Sequence, residues 1–219
     1  MVAVAAFATA FLCVLVCVLY AWSFYGVAVY DVSKSFYFLV LDEVHIEAST
    51  AEVQYDGGAG FLLEREDSDY IALSVYLQST DGEAAKAAVS KNYESAEIVT
   101  VQSGKLYMKS ASQKKLASEA IGALDSLYGC MQVLDREIAR LAGGATQASS
   151  KRILRILEDN FTYLGREYEE VFSDFSSVCE SAAKTLESCT ADIVYVKDLR
   201  FLLCELCVSY TDLCGAFSL

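Results

Sequence analysis

Proline is absent from this chain of 219 residues, and histidine and tryptophan each occur once. Without proline the usual cause of a sharp helix kink is missing, so long helical segments are expected to run without such breaks. The single histidine, His45, has no Ser, Cys or carboxylate constellation around it that the sequence can define, so no catalytic group is assigned to it. Basic side chains are also scarce: 17 Lys and Arg stand against 30 Asp and Glu, a net charge of −13. That balance argues against a nucleic-acid surface, which needs Lys and Arg to neutralise phosphates. The expected partner is instead neutral, cationic or a protein. Asp56-Gly57-Gly58-Ala59-Gly60 lacks the lysine and the spacing of a phosphate loop, and its aspartate would repel phosphate, so it reads as a turn. No cofactor is expected.

Charge is missing altogether from Val2 through Tyr30. About 20 apolar residues in a helix cross a bilayer core, and Val2 to Trp22 supplies them, with Tyr20, Trp22, Tyr25 and Tyr30 placed as an interfacial aromatic belt. No basic residue precedes the run, unlike a cleaved signal peptide. The expectation is an uncleaved transmembrane anchor over residues 1–30, with Cys13 and Cys17 serving as small apolar residues in it. Only Lys34 flanks the segment closely, so the basic-residue rule leaves orientation open; the long domain behind the anchor points to a soluble part outside the cytoplasm.

The six other cysteines (Cys130, Cys179, Cys189, Cys204, Cys207 and Cys214) fall on segments of helical period, where buried thiols are expected. Cys204-Glu205-Leu206-Cys207 has C-x-x-C spacing but no second ligand pair for zinc and no strand-to-helix setting for thioredoxin-like chemistry. No metal site is expected.

Beyond Leu116 the apolar residues recur at steps of three and four. One seam runs Leu116, Ala120, Leu124, Leu127, Met131, Leu134, Ile138 and Leu141. Gly143-Gly144 closes it, and Ser149 or Ser150 is expected to cap the next helix. A second seam runs from Ile153 through Phe161, Leu164, Tyr168, Val171, Phe175 and Val178 to Leu186, and a third from Leu199 to Phe217. Short connections make successive helices antiparallel. Residues 111–219 are therefore expected to form an antiparallel three-helix bundle.

Between Ser35 and Met108 the period changes to two. Ile71, Leu73 and Val75 alternate with Tyr70, Ala72 and Ser74, as in a half-buried strand. Thr80-Asp81-Gly82-Glu83 is a capping box, opening a helix expected to reach about Tyr93, and Ala96 to Val101 is a second strand. Phe36 to Leu41 and Glu52 to Tyr55 are further candidate strands. The helix is expected to cover the Ile71/Leu73/Val75 face and leave the other open.

The stretch from Tyr70 to Val101 resembles one half of the SPOR domain, the peptidoglycan-binding module of bacterial cell-division and sporulation proteins. Tyr70 stands at the leading aromatic place, Ile71 and Leu73 at the two valine places, Ala72 at the polar place, Ser74 at the glycine and Tyr76 at the closing aromatic. No first helix of the usual length is found in the other half. The resemblance implies an α+β fold: a small ferredoxin-like SPOR-like domain over residues 35–108, with an incomplete first half, between the transmembrane helix and the bundle. It also implies that the open face binds glycan strands through Tyr70, Ala72 and Ser74, with Tyr76 and Gln54 as further contacts, since a ring can stack on a pyranose face. The protein is thus expected to be a non-enzymatic, single-pass protein of the bacterial cell membrane that binds peptidoglycan in division or sporulation. The alternative is a structural interaction protein whose bundle assembles with itself or with another membrane protein.

Overall fold

A computed structural model describes residues 28–41, 58–65, 68–91, 95–108 and 114–217. Its described part is a three-layer α+β arrangement of one short helix, a four-stranded sheet and a bundle of four helices. The strands are β1 (Ala28–Tyr30), β2 (Ser35–Leu41), β3 (Phe61–Leu63), β4 (Tyr70–Tyr76), β5 (Glu97–Gln102) and β6 (Leu106–Met108), with helix α1 (Ser79–Val89) between β4 and β5. The bundle helices are α2 (Lys114–Ala142), α3 (Gln147–Tyr168), α4 (Ser173–Ala191) and α5 (Val196–Ala216).

The main sheet has the order β3-β4-β2-β5, antiparallel throughout, and β1 pairs with β6 in a separate ribbon. Because β4 and β5 are both antiparallel to β2, they run parallel to each other, and α1 is the crossover that joins them around β2. The helix starts one residue before the expected capping box: Gln78 is at the cap position and makes no side-chain bond there. Gly82 sits where α1 comes closest to the sheet, since a Cβ there would lie 3.3 Å from that of Tyr37.

Three expectations are corrected. The expected membrane-spanning segment, Val2 to Trp22, lies outside the described residues, and among the described residues no helix is long and apolar enough to cross a membrane. A single-pass location in the bacterial cell membrane is therefore not supported by any helix among the described residues; those helices carry an apolar stripe on one side and charge on the other, the pattern of helices packed on a protein core.

The bundle has four helices rather than three, because the second seam is two helices. The chain turns at Glu169 to Phe172, where the N–H groups of Val171 and Phe172 both donate to the Tyr168 carbonyl. Neither glycine nor proline marks this break. Folding back keeps the same apolar stripe facing inward on both helices, so the three-four spacing runs through the turn in phase. The close packing of α3 on α4 uses Gly165, beside Ser176 and Cys179. The earlier turn does carry its signal: Gly144 has φ +94° and the Ala145 N–H bonds to the Arg140 carbonyl. There Thr146, not Ser149 or Ser150, is the cap, accepting from the Ser149 N–H at 3.4 Å.

The third correction concerns the open face of the sheet, which the structure does not leave open. Phe36, Phe38 and Val40 of β2, with Ala72 and Val75 of β4, share one core with Leu124, Leu127, Leu203 and Tyr210 of the bundle. On the opposite face Leu39, Leu73, Val89 and Ala96 form a smaller core beneath α1. The Tyr210 hydroxyl donates to the Val32 carbonyl at 2.9 Å, and its ring meets that of Phe36 edge-on, so α5 is tied to the start of β2.

Candidate functional site

The residues expected to bind glycan do not come together on one surface. Ala72 is 0% and Ser74 3% exposed, while Tyr70 and Tyr76 are half-buried, Tyr70 packing against the bundle core and Tyr76 against the core under α1. Gln54 lies outside the described residues. Tyr70 and Ala72 do lie on the face away from α1, but the bundle covers that face. A register shift between Leu39 and Val40, which pair with Ser74 and Ala72, leaves Leu73 as the extra residue of a bulge and sets Ser74 beside Leu39. Alternation restarts there, so Ala72 and Val75, three apart, both face the bundle.

A different surface is open. Helices α4 and α5, together with Phe61 of β3, line an open groove of about 430 Å³. Its floor is Val178, Ala182, Leu202 and Leu206, the hydroxyl residues Ser177, Ser181 and Ser209 line it, and Phe61 of β3 stands at its mouth. Small residues on facing helix turns leave this space: Ser177 and Ser181 are four apart on α4, hence one above the other. Phe61 is held by an edge-on contact with Phe201 of α5, centroids 5.4 Å apart. Glu205 also lines the groove, and burial holds its carboxyl above the usual glutamate range. A carboxylate in this setting gains from a cation brought beside it.

Glu205 belongs to an outer stripe of α5 that continues through Lys197, Phe201 and Val208, at steps of four, four and three. Phe201 is 38% exposed, a large ring left at the surface. A second stripe lies on α3, where Ala148, Lys151, Arg152, Arg155, Ile156 and Asp159 surround a shallow depression. Ile156 is 54% and Tyr163 62% exposed. The three basic residues there form no ion pair among the described residues. Helix α3 packs on α2 and α4, and α5 packs on the same two helices, so the stripes lie on opposite sides of the bundle.

Neither stripe belongs to an apolar seam, and charge on an outer helix face is ordinarily solvated surface. The available signal was the interruption of charge by Phe201 and Ile156, each four residues from a charged neighbour on either or one side along its stripe.

The remaining candidates carry no comparable site. Cys130, Cys179, Cys204 and Cys207 are buried, unbridged thiols; burial pushes Cys130 up to about 11 and Cys179 to about 12, and it raises Cys204 and Cys207 as well. Such thiols are poor nucleophiles. Among the described residues no group of three or more His, Cys, Asp or Glu side chains could hold a metal ion. His45 lies outside the described residues.

No protein family, curated protein or solved structure matches the chain. The likeness to the SPOR module therefore rests on the residues from Tyr70 to Val101 alone.

Proposed function

We propose that this is a non-enzymatic interaction protein whose helical bundle receives a helix of a protein partner in the groove between α4 and α5. The observation that carries the reading is the groove itself: an apolar floor, hydroxyls along its walls, a desolvated carboxyl at Glu205 and an exposed ring, Phe201, at its edge. An apolar face flanked by a basic residue suits such a surface, because apolar anchors supply affinity and the charge fixes register. The sheet in this reading is a rigid wall of the bundle, which fits the burial of Ala72 and Ser74.

The test is a photo-reactive amino acid in place of Val208, at the groove rim, in the full-length protein in cells. A protein adduct of discrete mass is expected, and Ser181→Trp, which fills the groove, should abolish it. Absence of any adduct sinks the reading. Retention of the purified protein on peptidoglycan sacculi, undiminished by Ser181→Trp, would replace it with glycan binding.

A further inference from the structure

The two outer stripes match each other when read in opposite directions. Along α5 the order is Lys197, Phe201, Glu205, Val208, and along α3, taken backwards, it is Asp159, Ile156, Arg152, Ala148. Each stripe runs over eleven residue steps, about 16 Å of helix. Laid antiparallel with Ile156 on Phe201, Arg152 faces Glu205, and Asp159 and Ala148 come within about one residue of Lys197 and Val208. Every charged rung then pairs opposite signs and every other rung is apolar. Lys197, Arg152 and Asp159 are exposed, Glu205 is half-buried in the groove wall, and none of the four is in an ion pair among the described residues.

We infer that the partner helix is α3 of a second copy of this chain, seated antiparallel on α5 with Arg152 reaching into the groove at Glu205. This rests on the reading of the groove as a helix-docking surface and names its occupant. The guanidinium brings five N–H donors to a wall that offers the Glu205 carboxylate and the hydroxyls of Ser177, Ser181 and Ser209. The chain is strongly acidic overall, at −13, so a local cluster of Lys151, Arg152 and Arg155 around an exposed isoleucine is matched by an acidic partner such as the chain itself. One molecule cannot close the contact on itself, because α3 and α5 occupy opposite corners of its bundle. The contact joins two different surfaces, so it repeats head to tail and builds a ring or an open chain rather than a two-fold dimer.

Sedimentation of the full-length protein, dispersed in a mild non-ionic detergent, tests this. Wild type is expected to grow in mass with concentration and to dissociate as salt is raised, because the rungs are charged. Arg152→Glu or Glu205→Arg alone should weaken assembly by about tenfold or more. A variant carrying both exchanges restores the rung with its charges swapped and should assemble again, as should a mixture of the two single variants. Monomeric wild type, single variants that assemble as wild type does, or a double variant as weak as the singles would each overturn the inference. A photo-reactive residue in place of Ile156 or Val208 separates the two levels of the argument. An adduct of twice the chain mass supports a second copy; adducts only with another protein remove the second copy but keep the docking reading; no adduct at either position removes both.

Discussion

Phe38 and Leu39 are consecutive residues of β2, both fully buried, and they belong to different cores. Phe38 faces the bundle, in a cluster that runs without interruption from the sheet through α2 to α5. Leu39 faces α1, where, among the described residues, the smaller cluster of Leu73, Val89 and Ala96 is buried with it. A two-residue period thus divides one strand between a thick layer and a thin one. The difference teaches that the sheet is anchored by the bundle behind it, while α1 is a lighter cover over its other side.

Replacing each of the two residues by alanine breaks or sharpens that comparison most directly. Phe38→Ala empties a site walled by sheet and helices that cannot collapse together easily, and it is expected to cost about 3–5 kcal/mol. Leu39→Ala lies beneath an eleven-residue helix that can settle toward the gap, and the expected loss is nearer about 2 kcal/mol, the lower end for such a change. Urea unfolding of both variants is the measurement. Equal losses, or a larger loss at Leu39, would mean that α1 is held as firmly as the bundle.

A finer probe is the bond that ties α5 to the sheet. Tyr210→Phe keeps the ring packed on Phe36 and removes the hydroxyl that donates to the Val32 carbonyl at 2.9 Å. With a buried acceptor left unsatisfied, the loss should be about 1–3 kcal/mol. Amide hydrogen exchange in β2 should rise along with it; a neutral substitution would show that the bond contributes nothing to anchoring the sheet.

Much of this arrangement was legible in the residues. The seams from Leu116 to Leu141 and from Leu199 to Phe217 fall on α2 and α5, and the strands around Leu39, Leu73 and Val99 lie where period two places them. What was not legible has physical causes. The turn between α3 and α4 leaves the apolar stripe in phase, so Tyr168 and Phe175 read as one helix. The bulge at Leu73 changes face without changing composition, which turned Ser74 away from the expected open surface, while Ala72 stays on that surface and is covered by the bundle. The α4–α5 groove depends on which helix corners meet β3, and spacing along one helix holds no record of that.

The smallest expected effect links the two layers through charge. Asp135 on α2 has its carboxyl raised to about 6, first by burial and then by the nearby Asp81 carboxylate in the first turn of α1, with Arg136 opposing. A carboxyl whose pKa is higher folded than unfolded takes up a proton on folding, so its favourable contribution is complete below the unfolded value near 3.8 and is lost as pH rises through about 6. Wild type should therefore lose stability across that window from this group, and Asp135→Asn, which is neutral at every pH, should not. Partial exposure and screening hold the difference to about 1 kcal/mol. Thermal melts at pH 4.5 and pH 7, on either side of about 6, should show the variant gaining more on wild type at the higher pH. Asp81→Asn removes the opposing charge while leaving burial in place, so it should recover a smaller part of the same difference. If Asp81→Asn recovers as much as Asp135→Asn, then repulsion between the α1 and bundle layers, rather than desolvation within the bundle, sets the titration.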